Sequence, residues 1–353
     1  MALPGQFISM KTNNRNKFSL LNIGCQSVQS LFLIFLLTFF SCSEPETNTS
    51  ETETQEKIEV KKPHVDPPEF SADSAFSYVK TQCDFGPRNP GSQAHEKCAA
   101  WLEKKLISFG ANVIVQRTTI TTYDQKKFLC KNIIAEFNPQ AKERILLLSH
   151  WDSRHIAEHE TDASKRNKPI LGANDGASGV GVLLEVARAL SQKKADIGVD
   201  ILLDDLEDYG DPDGIVPDSW CLGTQYWSKN PHRPQYYAKY GILLDMVGAK
   251  DAIFPKEGTS VDFARSIVDK VWNKAKEMGY GNYFSDISTQ GTTDDHLYVN
   301  MNTSIPTIDI VHYDAQNRSY FPCHHKQCDT MENIDKKTLD VVGKVLLELI
   351  YNE

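Results

Sequence analysis

The chain has 353 residues, 40% of them hydrophobic and 24% charged, with a formal net charge of −9. That hydrophobic share is enough to build a core and excludes a wholly disordered chain. The acidic balance argues against nucleic acid as a partner, because a polyphosphate wants a basic face. A mean hydropathy of −0.41 excludes a polytopic membrane protein.

An average can conceal one short apolar run, and residues 31–40, LFLIFLLTFF, are such a run. A spanning helix needs roughly 20 apolar residues, so this stretch is short for a bilayer. Lys11, Arg15 and Lys17 precede it, and no acid occurs in residues 1–42. A basic start, an apolar middle and a small residue before Cys42 describe a secretory signal peptide. FFSC followed by Ser43 and Glu44 resembles a bacterial lipoprotein signal. That resemblance implies a lipidated Cys42, attachment to a membrane through it, and an exported periplasmic or cell-envelope lipoprotein. An ordinary cleaved signal and an uncleaved anchor are the alternatives.

Without residues 1–42, three of the 38 basic residues are gone, leaving 35 against 47 acids and a net charge of −12. Residues 43–56, SEPETNTSETETQE, carry no hydrophobic side chain and can bury nothing. Residues 43–69 are therefore expected to be a solvated tether, and the folded domain to occupy 70–353. Cys25 and Cys42 belong to the signal, which leaves Cys83, Cys98, Cys130, Cys221, Cys323 and Cys328. An exported protein permits disulfides among them, but sequence does not choose the pairing. No CxxC pair occurs, which argues against a thiolate zinc cluster.

In chain order, Ser92 caps a helix through HEKCAAWLEKKLISF, ended by Gly110. VIVQRTTI, FLCKNIIAEF and the strongly apolar ILLLSHW at 145–151 follow as strands. Residues 176–192 have helical spacing at Val182, Leu183, Val186 and Leu190. VDILLDD and YGILLDMVG read as strands, 261–278 as a long helix, IPTIDIVHY as a strand and 334–351 as the closing helix. Strands alternate with helices, and three strands are near-continuous apolar runs, as when both faces are buried. The expected fold is one α/β domain with a mostly parallel central sheet flanked by helices.

Polar residues gather where those strands end. ILLLS runs into His150, Trp151 and Asp152; VDILL into Asp204, Asp205, Glu207 and Asp208; GILL into Asp245. In open α/β sheets, ligands bind beyond the carboxyl ends of strands. Clustered carboxylates and imidazoles are costly unless a cation or shared protons neutralise them, and imidazole with carboxylates suits zinc. The loop LGANDGASG adds Asp175 among small residues, with Gly172, Gly176 and Gly179 allowing close backbone approach. An N-cap role for Asp175 is the plainer alternative. FPCHHKQCDTMENID adds His324 and His325, and TTDDHLYV places Asp294, Asp295 and His296 in an expected loop.

In order, FGPRNPGSQAH, HWD, GANDGASG, LED, LLDMVG, DDH and the His325–Asp329 stretch resemble the zinc exopeptidase superfamily of aminopeptidase type. The resemblance covers essentially residues 70–353. HWDSR with a long insertion, WCLGTQYW and the doubled acid of TTDDH are most similar to glutaminyl-peptide cyclotransferases, particularly bacterial ones. What this implies is a zinc-dependent acyltransferase acting on N-terminal Gln of peptides or exported proteins, as a monomer with one zinc per chain. Asp175, Asp208 and His325 would hold the zinc, Glu207 would be the general acid/base, and Asp245 and Asp295 the acidic network beside it. The chain departs from the animal enzymes in having Asp208 for Glu and His324 where they place Trp; Trp220 is a candidate replacement wall. A related aminopeptidase is the alternative, with His150, Asp152 and Asp245 able to serve a second metal. A third reading is a surface lipoprotein that binds peptides with a degenerate site.

Overall fold

The structure, a computed structural model, describes residues 63–353. In chain order its elements are α1 Ala72–Asp84, α2 Gln93–Ser108, β1 Asn112–Thr121, β2 Lys127–Phe137, β3 Arg144–His150, α3 Ala177–Gln192 and β4 Gly198–Asp204. There follow α4 Leu222–Lys229, β5 Gly241–Asp245, β6 Phe254–Lys256, α5 Gly258–Glu277, β7 Phe284–Ser288, α6 Asp295–Asn302 and β8 Thr307–Val311. Two short strands, β9 Tyr313–Asp314 and β10 Ser319–Tyr320, precede α7 Lys336–Tyr351.

Six strands form the central sheet in the order β1-β2-β4-β3-β5-β8. β3, β4, β5 and β8 run parallel, while β1 and β2 pair antiparallel at one side, so the sheet is mostly parallel as expected. All seven residues of both β3 and β4 are buried. Alternate side chains explain why such strands are apolar throughout: Ile145 and Leu147 join one core, Leu146 and Leu148 another on the opposite face. The first core receives side chains from α1, α2, α3, α5 and α7. The second, smaller one receives Trp227 of α4 and Val299 of α6.

Local chemistry sets the helix starts. The Ser71 and Ser92 side chains accept from the N–H of Ser74 and His95, capping α1 and α2. α5 begins at Gly258, three residues before the apolar pattern does, because Glu257 accepts from the N–H of both Thr259 and Ser260. The expected loop at Asp294–His296 is instead an N-cap and the first turn of α6: Asp294 accepts from its neighbour's N–H, and Asp295 and His296 are helical. The folded body also begins earlier than Phe70. The Val65 N–H donates to Asn352, and Lys193 and Arg188 donate to the carbonyls of Asp66 and Glu69. Residues 1–62, which contain the apolar run, Cys42 and most of the tether, lie outside the described residues. No helix among the described residues is long and apolar enough to cross a membrane. Cys323 and Cys328 are joined, and Cys83, Cys98, Cys130 and Cys221 are buried free thiols.

Candidate active site

The carboxyl ends of β3, β4 and β5 deliver His150, the Asp204–Asp208 segment and Asp245 to one end of the sheet. The loop before α3 brings Asp175 to them. Gly176 makes that turn at φ +76°, and a Cβ there would meet the His150 ring at 2.7 Å, so only glycine fits. Gly176 caps α3 without a side chain, which frees Asp175 to face the pocket rather than cap the helix. Asp329 holds the loop from behind, accepting from the N–H of Asn174 at 2.8 Å and of Asp175 at 3.1 Å. Asp152 does the same for the next segment, accepting from the N–H of Glu207 at 3.2 Å and of Asp208 at 3.3 Å. Left-handed backbone at Leu206, Cys221, Met246 and His325 adjoins or carries the site residues. Such strain persists only where the surroundings fix it.

His325 Nε2 lies 3.2 Å from Asp208 Oδ1 and 3.7 Å from Asp175 Oδ2. The three side chains are buried, and their ligand atoms lie within 4.8 Å of one another. Asp175 Oδ2 and both oxygens of Asp208 have no hydrogen-bond partner. Burying unpartnered carboxylate oxygens is costly, and a cation bound by both acids and the imidazole removes the cost. These residues therefore fit the metal that the sequence implies. His150, Asp175 and Asp245 form a second possible donor set. His150 Nε2 lies 3.2 Å from Asp175 Oδ1 and 3.3 Å from Asp245 Oδ1, while its Nδ1 has no hydrogen-bond partner.

Beside the donors is a cavity of about 230 Å³ whose walls include Asp175, Glu207, Asp245, Asp294 and His325. Trp220 forms part of the wall, its ring 10° from parallel with His325 at 5.8 Å between centroids. Burial pushes the Glu207 carboxyl well above its usual range; His150 lowers it, and Asp208, Asp294 and Asp295 raise it further. Asp294 is pushed up to about 7 by burial and by Asp245, and Asp208 to about 6 by burial and by Asp175. A buried carboxyl held near neutrality can both take and return a proton.

Of the residues expected from sequence, Asp175, Asp208, His325, Glu207 and Asp245 converge here. Asp295 does not reach the cavity: fully buried, it faces Asp204, and burial and Asp204 hold its carboxyl well above the usual range. Its neighbour Asp294 lines the wall instead, close to Glu207 and Cys221, whose Sγ–H donates to Glu207 Oε1 at 3.3 Å. Asp295 nonetheless belongs to the acidic group around Glu207, whose carboxyl it helps to raise. Glu158 and Tyr320 also line the cavity and were not anticipated. Asp309, an acid in the middle of an apolar strand, offered a readable signal; it lies under Asp294 and is raised by burial and by Asp294.

The family model for peptidase family M28 matches residues 132–350. The glutaminyl-peptide cyclotransferase of Gloydius blomhoffii is 27% identical over 292 residues, covering 73% of this chain and 75% of that protein. The crystal structure of Bacteroides thetaiotaomicron glutaminyl cyclase bound to N-acetylhistamine is 47% identical, with a TM-score of 0.79 over 82% of this chain and 100% of that one. A Zn-dependent exopeptidase from Parabacteroides distasonis ATCC 8503 is 49% identical, with a TM-score of 0.80 over 82% of this chain and 100% of that one. Fold, donor set and matched sequence agree: the chain belongs to peptidase family M28.

Proposed function

We propose that the protein is a zinc-dependent glutaminyl-peptide cyclotransferase, converting N-terminal glutamine of peptides or exported proteins to pyroglutamate with release of ammonia. The observation that carries it is the buried Asp175–Asp208–His325 donor set, with Asp175 Oδ2 and both Asp208 oxygens unpartnered, beside Glu207 in a small cavity. Similarity to glutaminyl cyclases over nearly the whole folded body supports the same reading.

A zinc ion held by Asp175, Asp208 and His325 would supply Lewis-acid polarisation of the side-chain amide. The substrate's α-amine attacks the amide carbon, forming the ring C–N bond as the bond to the amide nitrogen breaks and ammonia leaves. Glu207 accepts a proton from the amine and returns it to the departing nitrogen. Burial, with Asp208, Asp294 and Asp295 around it, keeps its carboxyl basic enough to hold that proton. Trp220 supplies the aromatic wall that the animal enzymes place one residue before the metal histidine. Because nucleophile and electrophile share one residue, the cavity has to fix a near-attack geometry and keep water away.

The peptidase alternative would hold a second metal at His150 and Asp245, with Asp175 in place of the expected Asp152, whose oxygens accept from the Glu207 and Asp208 N–H groups. The similarity to glutaminyl cyclases is what favours the cyclase over this alternative. The assay is to offer Gln-Leu-Ala and Leu-Leu-Ala peptides to the purified protein. Ammonia and a pyroglutamyl peptide from the first, with the second untouched and about one zinc per chain, is the expected result. Free leucine and two metals would overturn it. Glu207→Gln should keep its zinc and lose ~10²- to 10⁴-fold in turnover. The export reading belongs to the same proposal: mass spectrometry of the mature N-terminus should find a lipidated Cys42, and an intact residue 1–42 segment would contradict it.

A further inference from the structure

The HWDSR motif and the insertion after it place two residues behind the donor set that the reaction itself does not use. Arg154 is fully buried and Glu158 lies four residues on. Arg154 Nε reaches both oxygens of Glu158, at 3.0 and 3.2 Å, and its Nη2 reaches Oε1 at 2.7 Å. Its Nη1 donates to the carbonyls of Asp208 at 2.8 Å and Gly210 at 3.0 Å. The guanidinium carbon sits 4.3 Å from the centroid of the Trp220 ring, which lies parallel to His325. Glu158 Oε1 in turn faces His325 Nδ1 at 2.9 Å.

We propose that Glu158, locked by Arg154, is the positioning residue for the His325 imidazole. This rests on the reading that Asp175, Asp208 and His325 bind a metal. A carboxylate clamped by a guanidinium can only accept, so the proton on His325 must sit on Nδ1. Nε2 is then left as a lone pair facing Asp208 and Asp175. The same Arg154 ties down the backbone of Asp208, so one buried cation sets the spacing of two of the three donors. The Arg154–Glu158 pair is neutral taken together. Its effect on the metal is therefore orientation and tautomer rather than added negative charge. Lysine could not replace Arg154, because four partners around a plane need the guanidinium fork.

The test compares the full chain with Glu158→Gln and Glu158→Ala, reading zinc affinity by competition with a chromophoric chelator. Outer partners of ligating histidines are typically worth about 10- to 100-fold in affinity. Glu158→Ala should fall in that range and Glu158→Gln, which keeps an acceptor oxygen, should lose less. The unfolding midpoint of the metal-free proteins should stay near that of the parent. The imidazole ¹H–¹⁵N signal of His325 should report an Nδ1–H in the parent and not in Glu158→Ala. Zinc affinities within twofold of the parent in both variants would overturn the inference. So would a loss of affinity that merely tracks lost metal-free stability with the tautomer unchanged. A parent that takes up no zinc removes the underlying reading and this inference with it, whereas a parent that binds zinc no better than the variants removes the inference alone.

Discussion

The Cys323–Cys328 disulfide closes a ring around both pocket histidines, His324 and His325, with a sequence separation of 5. Replacing both cysteines by serine removes the cross-link with little change in volume. In the chain-entropy account, a ring of about six residues restricts the unfolded chain by about 7 cal/mol/K, or about 2 kcal/mol at 25 °C. Where that loss appears depends on what else holds the ring. The His325 carbonyl accepts from the His159 N–H, Gln327 donates to Glu160 and to the Lys168 carbonyl, and Asn333 donates to the Cys328 carbonyl. At about 1 kcal/mol each, those four bonds exceed the ~1–2 kcal/mol cost of left-handed backbone at His325. The ring should therefore stay closed in the folded protein, and most of the loss should fall on folding. Urea unfolding of the double variant should show a lower midpoint equivalent to about 2 kcal/mol with an unchanged slope. Zinc affinity should fall by less than about tenfold. If the ring instead opens in the metal-free protein, the same 2 kcal/mol moves to metal binding as a loss of about 30-fold. A variant that keeps both the parent's unfolding midpoint and its zinc affinity would refute the reasoning.

Two further outcomes follow from the same geometry. Asp294 lines the cavity and Asp295 pairs with Asp204 beneath it, so Asp294→Asn should lose at least about tenfold in kcat with little change in unfolding midpoint. Asp295→Asn should shift the midpoint and cost less in kcat; the reverse pattern would show that the two side chains have been assigned the wrong way round. Burial raises the Glu257 carboxyl, but the hydrogen bond from His296 and the N–H groups of Ser260 and Thr259 more than offset it, bringing it from 4.5 to about 2. With the folded value below the unfolded one, the stabilisation is complete above pH 4.5 and is lost as pH falls toward about 2, amounting to about 3 kcal/mol. Urea titrations at stepped pH should show that loss in the parent and a flatter profile in Glu257→Gln; parallel profiles would dismiss the assignment.

The sheet was legible because burial on both faces makes a strand apolar at every position, and ILLLS and VDILL are such runs. The site was legible for a related reason: a parallel sheet sends its ligands to the carboxyl ends, so His150, Glu207, Asp208 and Asp245 stood out by place. The short pairs β6–β7 and β9–β10 were not, because their partners are set by loops rather than by pattern. α1 carried a capping serine at Ser71 that the apolar reading passed over. Glu158 sits in an insertion without periodicity, and its partner His325 is 167 residues away, so nothing local marks it. That Asp294 also lines the wall depends on where α6 begins, a boundary that propensity fixes only to within a few residues.

Composition alone does not separate structural acids from chemical ones, but pairing does. Away from the cavity, buried acids have cationic or imidazole partners: Asp200 with Arg144, Asp205 with His95, Glu185 with Arg188, Glu257 with His296. Next to the cavity the pattern changes. Asp204 and Asp295 face each other, as do Asp294 and Asp309, and burial holds Asp204 up to about 7. Two facing carboxyls of this kind are stable only with a shared proton, which keeps them from adding a full charge each. That leaves Asp175 and Asp208 as the acids with open oxygens and the most to gain from a cation. Neutralising the surrounding acids by protons rather than by lysine or arginine has a consequence for chemistry. The Arg154 guanidinium, 3.9 Å from Asp208 Oδ1, spends its hydrogen bonds on Glu158 and on backbone carbonyls, and the nearest acids remain able to exchange a proton with Glu207.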